Sequence, residues 1–588
     1  MKSIKIYISF FMLLLSLSAC NGFLDKEYDA SLSETKTFRN ETLTKEFLSN
    51  IYTNLPDGLA PLSDDQFTGA SRDCMTDNSV SYWGLHYYTK VATDGYTAAD
   101  HPLLGQWSTD LYGIRKCNIF LKNVKSSVVG NGVKDGDNNK LYDRYRAEAK
   151  LLRAIFHFDI VCWFGDCPII AEDASGVPIV FDLSNPEQMN MERTKAADAL
   201  DWVVAQCDSV KDILPFRYTD EGTNWGRLNG AAAYALKVRA LLYRASPLYN
   251  PTGDKTIWAK AAQAAKDFMT KNNQQSNSYK LYGDYSACFT DNPVYNNEII
   301  LARSVWNTNQ VEKVFLPVGF SGNNFSGNGR TNPTENFVDC FEMANGKHID
   351  ESGSGYDATN PYVNRDPRLD AIVFHQGTVW GRADKNEQRT IDVRFNSDAD
   401  KGVDYASAMG GTYTGYYLKK YVNNISCLSP TTYPHCWIIF RYAEILLNAA
   451  EAINESEGPD AAYQYINQVR ERAGMPDYSN MNQAELRERI RNERRIELSF
   501  EDHRFFDLRR WKLYEGVAAD NEKSKPYYKQ LLNIYGVSVT GTKDSPTYKF
   551  GLANNVATRV FNSPKNYYFP LPESDVKKSP KLGQNPGW

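Results

Sequence analysis

The stretch "RYAEILLNAAEAINESEGPDAAYQYINQVRERAGMP", from Arg441 to Pro476, decides the fold that the sequence predicts. Its first half predicts a helix over 441–454, because apolar residues recur at steps of three and four positions. These residues are Tyr442, Ile445, Leu446, Ala449 and Ile453. A second helix is predicted over 460–473, since a proline and an aspartate stand at its start and Gly474 follows its end. The turn between the two is short, so they form a helical pair.

The same periodicity recurs on both sides of this pair. Helices are predicted in the stretches Leu43 to Leu55, Trp107 to Val124, Glu148 to Trp163, Ala197 to Cys207, Gly230 to Leu248 and Asn482 to Phe500. Between Tyr279 and Tyr417 the periodicity fades, and glycine, asparagine and proline indicate loops and short strands. We therefore predict a mostly α protein, in which a tetratricopeptide-like scaffold of helical pairs carries long irregular loop insertions and few short strands. Irregular all-α packing is the alternative that periodicity leaves open.

Composition indicates a folded globular chain. Of the 588 residues, 42% are apolar and 23% are charged. The net charge of −5 and the absence of a concentrated basic segment argue against a nucleic-acid partner. The arginine-rich run from Arg487 to Trp511 is interleaved with glutamates three or four positions away, so we predict a solvated, salt-bridged helix there. His503 within it is expected to pack or form hydrogen bonds.

The N-terminus is typical of an exported protein. A basic start precedes an apolar stretch from Ile6 to Leu17, which is too short for a bilayer span of roughly 20 residues. We predict a signal peptide over 1–19, cleavage before Cys20 and a lipidated tether over 20–39, because Leu-Ser-Ala-Cys looks like a bacterial lipobox. Several acyl chains would anchor the protein stably. The alternative is an ordinary signal peptide cut near Ala19.

The cysteines and histidines show no metal-binding pattern. The chain has 10 cysteines without a CxxC pair, the closest being Cys162 and Cys167, and its histidines lack the HExxH spacing. We expect mostly buried, reduced cysteines, and neither a metal site nor a cofactor.

Several sequence motifs are shared with a known protein family. The most specific motifs are in the C-terminal half: "IIFRYAEILLNAAEAINE", "YINQVRERAGMP", "IRNERRIELSFEDHRFFDLRRW" and "YYFPLPESDVKKSPKLGQNPGW". Further motifs are "CNGFLD", "AEAKLLRAIFHFDIVCWFGDCPII", "RALLYRASPLYN", "NRDPRLDAIVF" and "GYYLKKY". In sequence and in order these motifs resemble the SusD/RagB family of outer-membrane nutrient-binding lipoproteins. The resemblance implies an N-terminal SusD-like helical region over 40–280 and a C-terminal RagB/SusD region over 281–588. The latter comprises a loop-rich part over 281–430 and helices over 441–511.

The resemblance also implies a location and a partner. Family members lie as a lid over a SusC-like, TonB-dependent outer-membrane transporter, to which they deliver captured glycan. Within the motifs, Arg441, Glu444, Glu493 and Arg495 are expected to be paired charges that hold helices together. The ligand contacts must then come from the loops.

Two loop stretches combine aromatic rings with amides and charges, as glycan sites do, because sugars present apolar C–H faces edged by hydroxyls. We select from them the candidate ligand-binding residues Asp77, Asn78, Trp83, Tyr87, Arg303, Trp306, Asn324 and Phe325. The resemblance implies that ligand contacts come from these regions of the chain, but no family motif aligns with any of these residues individually.

Three functions follow in order of preference. The first is non-enzymatic capture of an oligosaccharide or polysaccharide at the cell surface. The second keeps the transporter-lid role with a peptide or glycopeptide as ligand. The third is a glycoside hydrolase, which needs a pair of carboxylates across a cleft. Because the chain lacks a G-x-S-x-G elbow, a Walker-A loop and a zinc-hydrolase motif, we assign no catalytic residue.

Overall fold

The computed structural model describes residues 34–63, 69–82, 87–130, 134, 140–182, 185–322, 325–407, 410–515, 531–551 and 554–588. The predicted signal peptide, Cys20 and most of the predicted tether lie outside the described residues. The structure consists of helices joined by loops and short strand pairs.

The helices, in chain order, are α1 Glu34–Thr37, α2 Glu41–Ile51, α3 Tyr87–Ala92, α4 Leu104–Asn123, α5 Leu141–Phe164, α6 Ala196–Val210, α7 Glu221–Asn224, α8 Gly230–Ala245, α9 Lys255–Asn273, α10 Ala287–Thr290, α11 Gln310–Phe315, α12 Glu335–Val338, α13 Arg368–Ile372, α14 Tyr442–Ser456, α15 Pro459–Arg472, α16 Gln483–Glu497, α17 His503–Arg510 and α18 Glu573–Lys578. The short strands pair two by two and antiparallel.

The strand pairs, in order along the chain, are β1 Ser79–Ser81 with β6 Thr331–Pro333, β2 Ile299–Ala302 with β16 Ile438–Arg441, β3 Trp306–Thr308 with β15 Tyr433–His435, β4 Ser321–Gly322 with β5 Phe325–Ser326, β7 Val373–Phe374 with β14 Tyr417–Leu418, β8 Val379–Trp380 with β9 Arg389–Thr390, β10 Phe395–Ser397 with β11 Asp400–Lys401, β12 Ala406–Ser407 with β13 Gly410–Gly411, β17 Asn533–Tyr535 with β20 Asn555–Thr558, and β18 Ser538–Gly541 with β19 Pro546–Lys549.

The long helices stack in series. α4 packs on α5, α5 on α6, α6 on α8, α8 on α9, α9 on α14, and α14 on both α15 and α16. Close approach is possible along α8 because its buried face is rich in alanine, and Asn229 caps its first turn by accepting a hydrogen bond from the Ala232 amide at 2.9 Å. This arrangement confirms the predicted mostly α fold, with which the tetratricopeptide-like pairing agrees.

One helix of this stack was not predicted. α9 (Lys255–Asn273) begins after the capping residue Asp254 and buries Trp258, Phe268 and Met269 together with several alanines. Its buried face is mostly alanine, which gives a weak apolar period, so the sequence pattern did not separate it from a loop.

The loop-rich segment is an insertion into the stack. Residues 274–441 leave the stack after α9 and return at α14, although these two helices pack against each other. The insertion is closed at its base by the β2–β16 pair, in which Ile299 lies opposite Arg441. Both ends of the loop-rich segment are thus held by helices of the stack.

The arginine-rich run is half-buried over most of 487–491 and mostly buried from Asn492 onward, so our expectation of a solvated helix was wrong, although its salt bridges exist. Arg441 places Nη1 2.6 Å from Glu298 and 2.8 Å from Glu497, and Nε 2.7 Å from Glu501. Burial alone would raise the pKa of Glu497, but the arginines Arg472, Arg441 and Arg368 hold it well below the usual value. The charges are buried because partners arrive from distant segments and not only from the same helix.

The other motif charges are also paired, as the resemblance implied. Glu493 accepts hydrogen bonds from Arg368 at 2.5 Å and from Arg470 at 3.1 Å, and Glu444 accepts one from Arg239 at 2.6 Å. Such pairs are costly to break once buried, because the remaining charge is left without a partner. The prediction that Arg441, Glu444, Glu493 and Arg495 hold the scaffold together is confirmed, with the contacts of Arg495 described below.

The cysteines between Cys74 and Cys436 are free thiols in the described residues, and all but the half-buried Cys436 are buried. Their predicted burial is confirmed. Within the described ranges, no helix combines the length and apolarity that crossing a bilayer requires.

Candidate functional site

The first two candidate residues lie inside the protein. Asp77 accepts hydrogen bonds from Arg504 Nε and Nη2, both at 2.8 Å, and lies 2.9 Å from Arg495 Nη2. Asn78 accepts a hydrogen bond from Arg495 Nε at 2.8 Å and donates one to Asp73 at 2.9 Å. Although burial would raise it, the two arginines lower the pKa of Asp77 to about 2. Both side chains anchor the first loop stretch to α16 and α17 and are not presented to solvent.

Two more candidates also serve the scaffold. Arg303 is half-buried, and its Nη1 donates to the carbonyls of Tyr52 at 3.1 Å and Thr53 at 2.7 Å. Its Nε lies 3.4 Å from Asp57 Oδ2. Phe325 is buried in β5. Phe325 is therefore not presented to solvent, whereas Arg303 is partly accessible but already bonded to the backbone of 52–53.

Trp306 and Tyr87 keep accessible rings. Trp306 lies on β3, opposite His435, and is 36% exposed beside the exposed Asn307. Tyr87 begins α3, is half-buried and has the Lys90 ammonium 4.8 Å from its ring centre. The remaining candidates, Trp83 and Asn324, lie outside the described residues.

The structure pairs the first candidate stretch with the segment 331–334, which follows the second candidate stretch in the chain. β1 pairs with β6, so that Val80 lies opposite Asn332. Thr334 extends this contact, because its hydroxyl donates to the Asp77 carbonyl at 2.6 Å and its amide donates to the Asn78 carbonyl at 3.0 Å. The first loop stretch is therefore held against the middle of the chain.

An aromatic pair that the sequence analysis missed lies at this junction. Tyr82, the residue after β1, stacks on Tyr413, with ring centroids 4.5 Å apart and an angle of 19° between the rings. Tyr82 is half-buried and Tyr413 is 50% exposed. We call this pair the tyrosine platform. It offers the broad apolar ring surface that the C–H face of a sugar requires.

Small residues and one asparagine hold the platform in place. The Asn332 amide group donates to the Gly411 carbonyl at 3.3 Å and accepts from the Tyr413 backbone amide at 3.1 Å. A β-carbon at Gly411 would come within 2.8 Å of the Tyr82 ring, so only glycine lets the ring approach the strand. The platform is thus preorganised, which reduces the entropy that a ligand must overcome on binding.

A second ring pair flanks the same hairpin. Tyr405, which precedes β12, stacks on Phe395 with centroids 4.6 Å apart and an angle of 22°. The Tyr405 carbonyl accepts a hydrogen bond from the Thr412 amide at 3.1 Å, next to Tyr413. Phe395 is 38% exposed. One hairpin therefore links two partly exposed aromatic pairs.

Buried charges support the base of this hairpin. Arg389 donates to both carboxylate oxygens of Asp404, at 2.6 and 2.5 Å, and its guanidinium lies 4.0 Å from the Phe320 ring centre. Asp404 also accepts from the amides of Asp392 at 2.9 Å and Gly319 at 3.2 Å. These bonds leave the carboxylate saturated, so it serves as a structural anchor for the loops.

The sequence contains only a weak signal for the tyrosine platform. Gly410 and Gly411 between two tyrosines suggest a hairpin, but nothing in the chain links that hairpin to Tyr82. Among the residues that the structure describes, no group of three or more histidine, cysteine, aspartate or glutamate side chains could hold a metal ion. The arrangement offers a surface for an apolar ring face.

The fold and the site together define a class of protein, in which a stack of helical pairs bears an inserted, loop-rich face with exposed aromatic pairs. Two family models match the chain: the SusD family over residues 297–588, and a model described as starch-binding associating with outer membrane over residues 22–242. The chain belongs to the SusD/RagB family.

Individual relatives extend over nearly the whole chain. The SusD-like protein P25 of Formosa agariphila is 25% identical over 581 residues, which are 90% of this chain and 95% of that protein. The starch-binding protein SusD of Bacteroides thetaiotaomicron is 23% identical over 517 residues, which are 81% of this chain and 77% of that protein. A solved SusD-like protein from Bacteroides fragilis, 25% identical, superposes with a TM-score of 0.72 and covers 94% of this chain and 98% of its own. The family predicted from the motifs is confirmed.

Proposed function

We propose that the protein captures a glycan at the outer surface of the cell and passes it to a partner TonB-dependent transporter. Membership of a family described as starch-binding and associated with the outer membrane supports the ligand class and the location. The partner, lipidation of Cys20 and cleavage of the signal peptide are parts of the proposal that come from the sequence.

The observation that carries the proposal is the tyrosine platform. Its two rings are stacked 4.5 Å apart, and one of them is half exposed, so an apolar ring surface is accessible from solvent. Tyr82 directly precedes Trp83 in the sequence, and Tyr413 lies on the loop-rich insertion, where loops held by a rigid scaffold commonly carry binding residues. Aromatic surface with backbone amides nearby suits a sugar ring and its hydroxyls.

Calorimetric titration with a panel of soluble oligosaccharides tests the ligand class. Tyr413→Ala should weaken binding by about tenfold, because an aromatic contact contributes roughly 0.5–1.5 kcal/mol beyond its buried area. Tyr295→Ala is the matched control, since Tyr295 is 78% exposed and makes no ring contact among the described residues. Absence of binding to every glycan would overturn the proposal, as would equal effects of the two variants.

Trp306→Ala tests whether β3 belongs to the same ligand surface. A loss of affinity for long but not for short oligosaccharides would place Trp306 on an extended glycan path. Unchanged affinity for all chain lengths would remove Trp306 from the site.

A peptide or glycopeptide is the alternative ligand for the same lid role. A competition experiment separates the two ligands. If a peptide binds at the platform, it should displace bound glycan, and its own affinity should fall in Tyr413→Ala. We further propose that the glycan is bound without being cleaved. Chromatography of an oligosaccharide incubated with purified protein should return it intact, and sustained product release would overturn this.

The transporter and the anchor need separate tests. Affinity purification from membranes should recover an outer-membrane barrel protein together with this chain. Cys20→Ala should release the protein from the membrane fraction, and mass spectrometry should find acyl chains only on the unaltered N-terminus. Recovery of the variant with the membrane would overturn lipid anchoring.

A further inference from the structure

A cavity of about 310 Å³ lies within the loop-rich insertion, separate from the tyrosine platform. It is bounded by α10, by Trp380 of β8 and by the segment from Lys419 to Asn424 that follows β14. The volume is at the low end of small-molecule sites, roughly 300–1,000 Å³, which suits a ligand about the size of one sugar unit.

The charge of the cavity wall is positive. Its lining residues include Lys419 and Lys420 but no aspartate or glutamate. Lys420 is neutralised, because its Nζ donates to Glu501 Oε1 at 2.7 Å. The charge of the other lysine in the cavity wall is not neutralised by this ion pair.

Lys419 is that lysine. Its Nζ donates to the Asp370 carbonyl at 2.6 Å, and in the described part of the chain it forms no ion pair with a carboxylate. The nearby Asp370 side chain is engaged elsewhere, with Oδ1 2.8 Å from His375 Nε2. Burial lowers the pKa of Lys419, and the Asp370 charge only partly opposes this. Lys419 is half-buried, and a partly desolvated ammonium that forms no ion pair among the described residues is unfavourable, so a bound anion would compensate for it.

An aromatic ring adjoins this ammonium. Lys419 Nζ lies 4.8 Å from the centre of the half-buried Trp380 ring, which packs edge-on against Phe374 at 5.5 Å. Ser286 and Asn424 add a hydroxyl and an amide at the exposed rim. A cation beside an apolar ring, with hydroxyl and amide partners at the rim, matches a sugar ring that carries an acidic group.

We propose that this cavity binds an acidic sugar unit, with its carboxylate on Lys419 and its ring against Trp380. The inference rests on the proposed glycan-binding function and narrows the ligand to a glycan that contains uronic acid. The carboxylate forms a charge-assisted hydrogen bond with the ammonium, while the apolar face of the ring covers the indole.

Titration with three trisaccharides of equal length tests the inference: an oligogalacturonide, its methyl ester and neutral galactotriose. The free acid should bind at least about tenfold more tightly than the other two, since a hydrogen bond to a charged group contributes roughly 1.5–3 kcal/mol. Lys419→Gln should remove this preference. The matched control Lys401→Gln should retain it, because Lys401 is exposed and outside the cavity.

The outcomes separate the two proposals. Equal binding of the three trisaccharides to the unaltered protein, or an acid preference that survives in a folded Lys419→Gln variant, overturns the acidic cavity and leaves glycan capture standing. If Lys419→Gln does not fold, the comparison of free acid with methyl ester on the unaltered protein still decides. Failure of these and of every other glycan to bind overturns both proposals.

Discussion

Replacing Asp77 by asparagine should destabilise the whole fold and not only the loop that contains it. Asp77 is buried, and its carboxylate joins the first loop stretch to Arg495 of α16 and Arg504 of α17. Asparagine keeps the shape but presents an N–H group where Arg504 now finds an acceptor. Removing one partner of a buried ion pair typically costs about 3–5 kcal/mol, because the remaining charge is stranded.

The pKa of Asp77 gives an independent magnitude. A change from the ordinary 3.8 to about 2 corresponds to about 2.4 kcal/mol at neutral pH. Because the folded-state pKa lies below the unfolded one, this stabilisation is present above about pH 3.8 and is lost as the pH falls through about 2. Asp77→Asn should therefore lower stability at pH 7 and flatten its dependence on pH in the acid range.

Urea unfolding followed by tryptophan fluorescence, at pH 7 and at a series of acid pH values, measures both effects. Asp384→Asn is the matched control, because Asp384 pairs with Arg382 at 2.5 Å but its side chain is 55% exposed. The control should leave the unfolding midpoint unchanged, since exposed pairs contribute little. A loss below about 1 kcal/mol for Asp77→Asn, or equal midpoints for the two variants, would refute the reasoning.

Three further outcomes are expected. Asp110→Asn should leave the free energy of unfolding at pH 7 equal or higher. The buried Asp110 carboxyl lies beside the half-buried Asp159 carboxyl, and desolvation raises the pKa of Asp159 to about 6. The favourable contribution of the protonated pair is therefore complete below about pH 3.8 and is lost as the pH rises through about 6. Unfolding midpoints between pH 4 and 8 check it, and a fall at pH 7 would contradict it. Gly410→Ala should weaken glycan binding in titrations while the far-ultraviolet spectrum stays unchanged, because a β-carbon there would lie 1.7 Å from the Asn328 carbonyl oxygen and force the hairpin to move. Asn482→Ala should cost about 1 kcal/mol in urea unfolding, since it removes the capping box of α16; an unchanged midpoint would show that the cap is redundant.

Local signals predicted the scaffold well. The helical pair at Arg441–Pro476 and the helix that begins at Asn482 were predicted because helix periodicity depends on residues only three or four positions apart. The burial of the arginine-rich run was not found, because it depends on partners such as Glu298 that reach Arg441 only in the folded chain. Sequence spacing showed that the charges could pair, but it did not show that they would be enclosed.

The site was predicted less well, for a physical reason. Asp77 and Asn78 have the residue types of a ligand site, yet their polar groups are used by Arg495 and Arg504. The platform residue Tyr413 is one of 37 tyrosines, and only the β1–β6 pairing brings its hairpin to Tyr82. A ligand surface made from distant loops has no periodic pattern, whereas a helix has one.

The buried charges explain how a loop-rich insertion can present a rigid surface. Arg441 fixes the base of the insertion through Glu298, Arg495 fixes the first loop stretch through Asp77, and Arg389 fixes the hairpin through Asp404. Each anchor lies at the foot of a loop, so the residues beyond it are free to differ without cost to the fold. If our proposals hold, ligand specificity comes from the exposed rings and from Lys419, while the buried charges of the scaffold stabilise the loops that carry them. Substitution at an anchor should therefore reduce stability and binding together, whereas substitution at a ring should reduce binding alone.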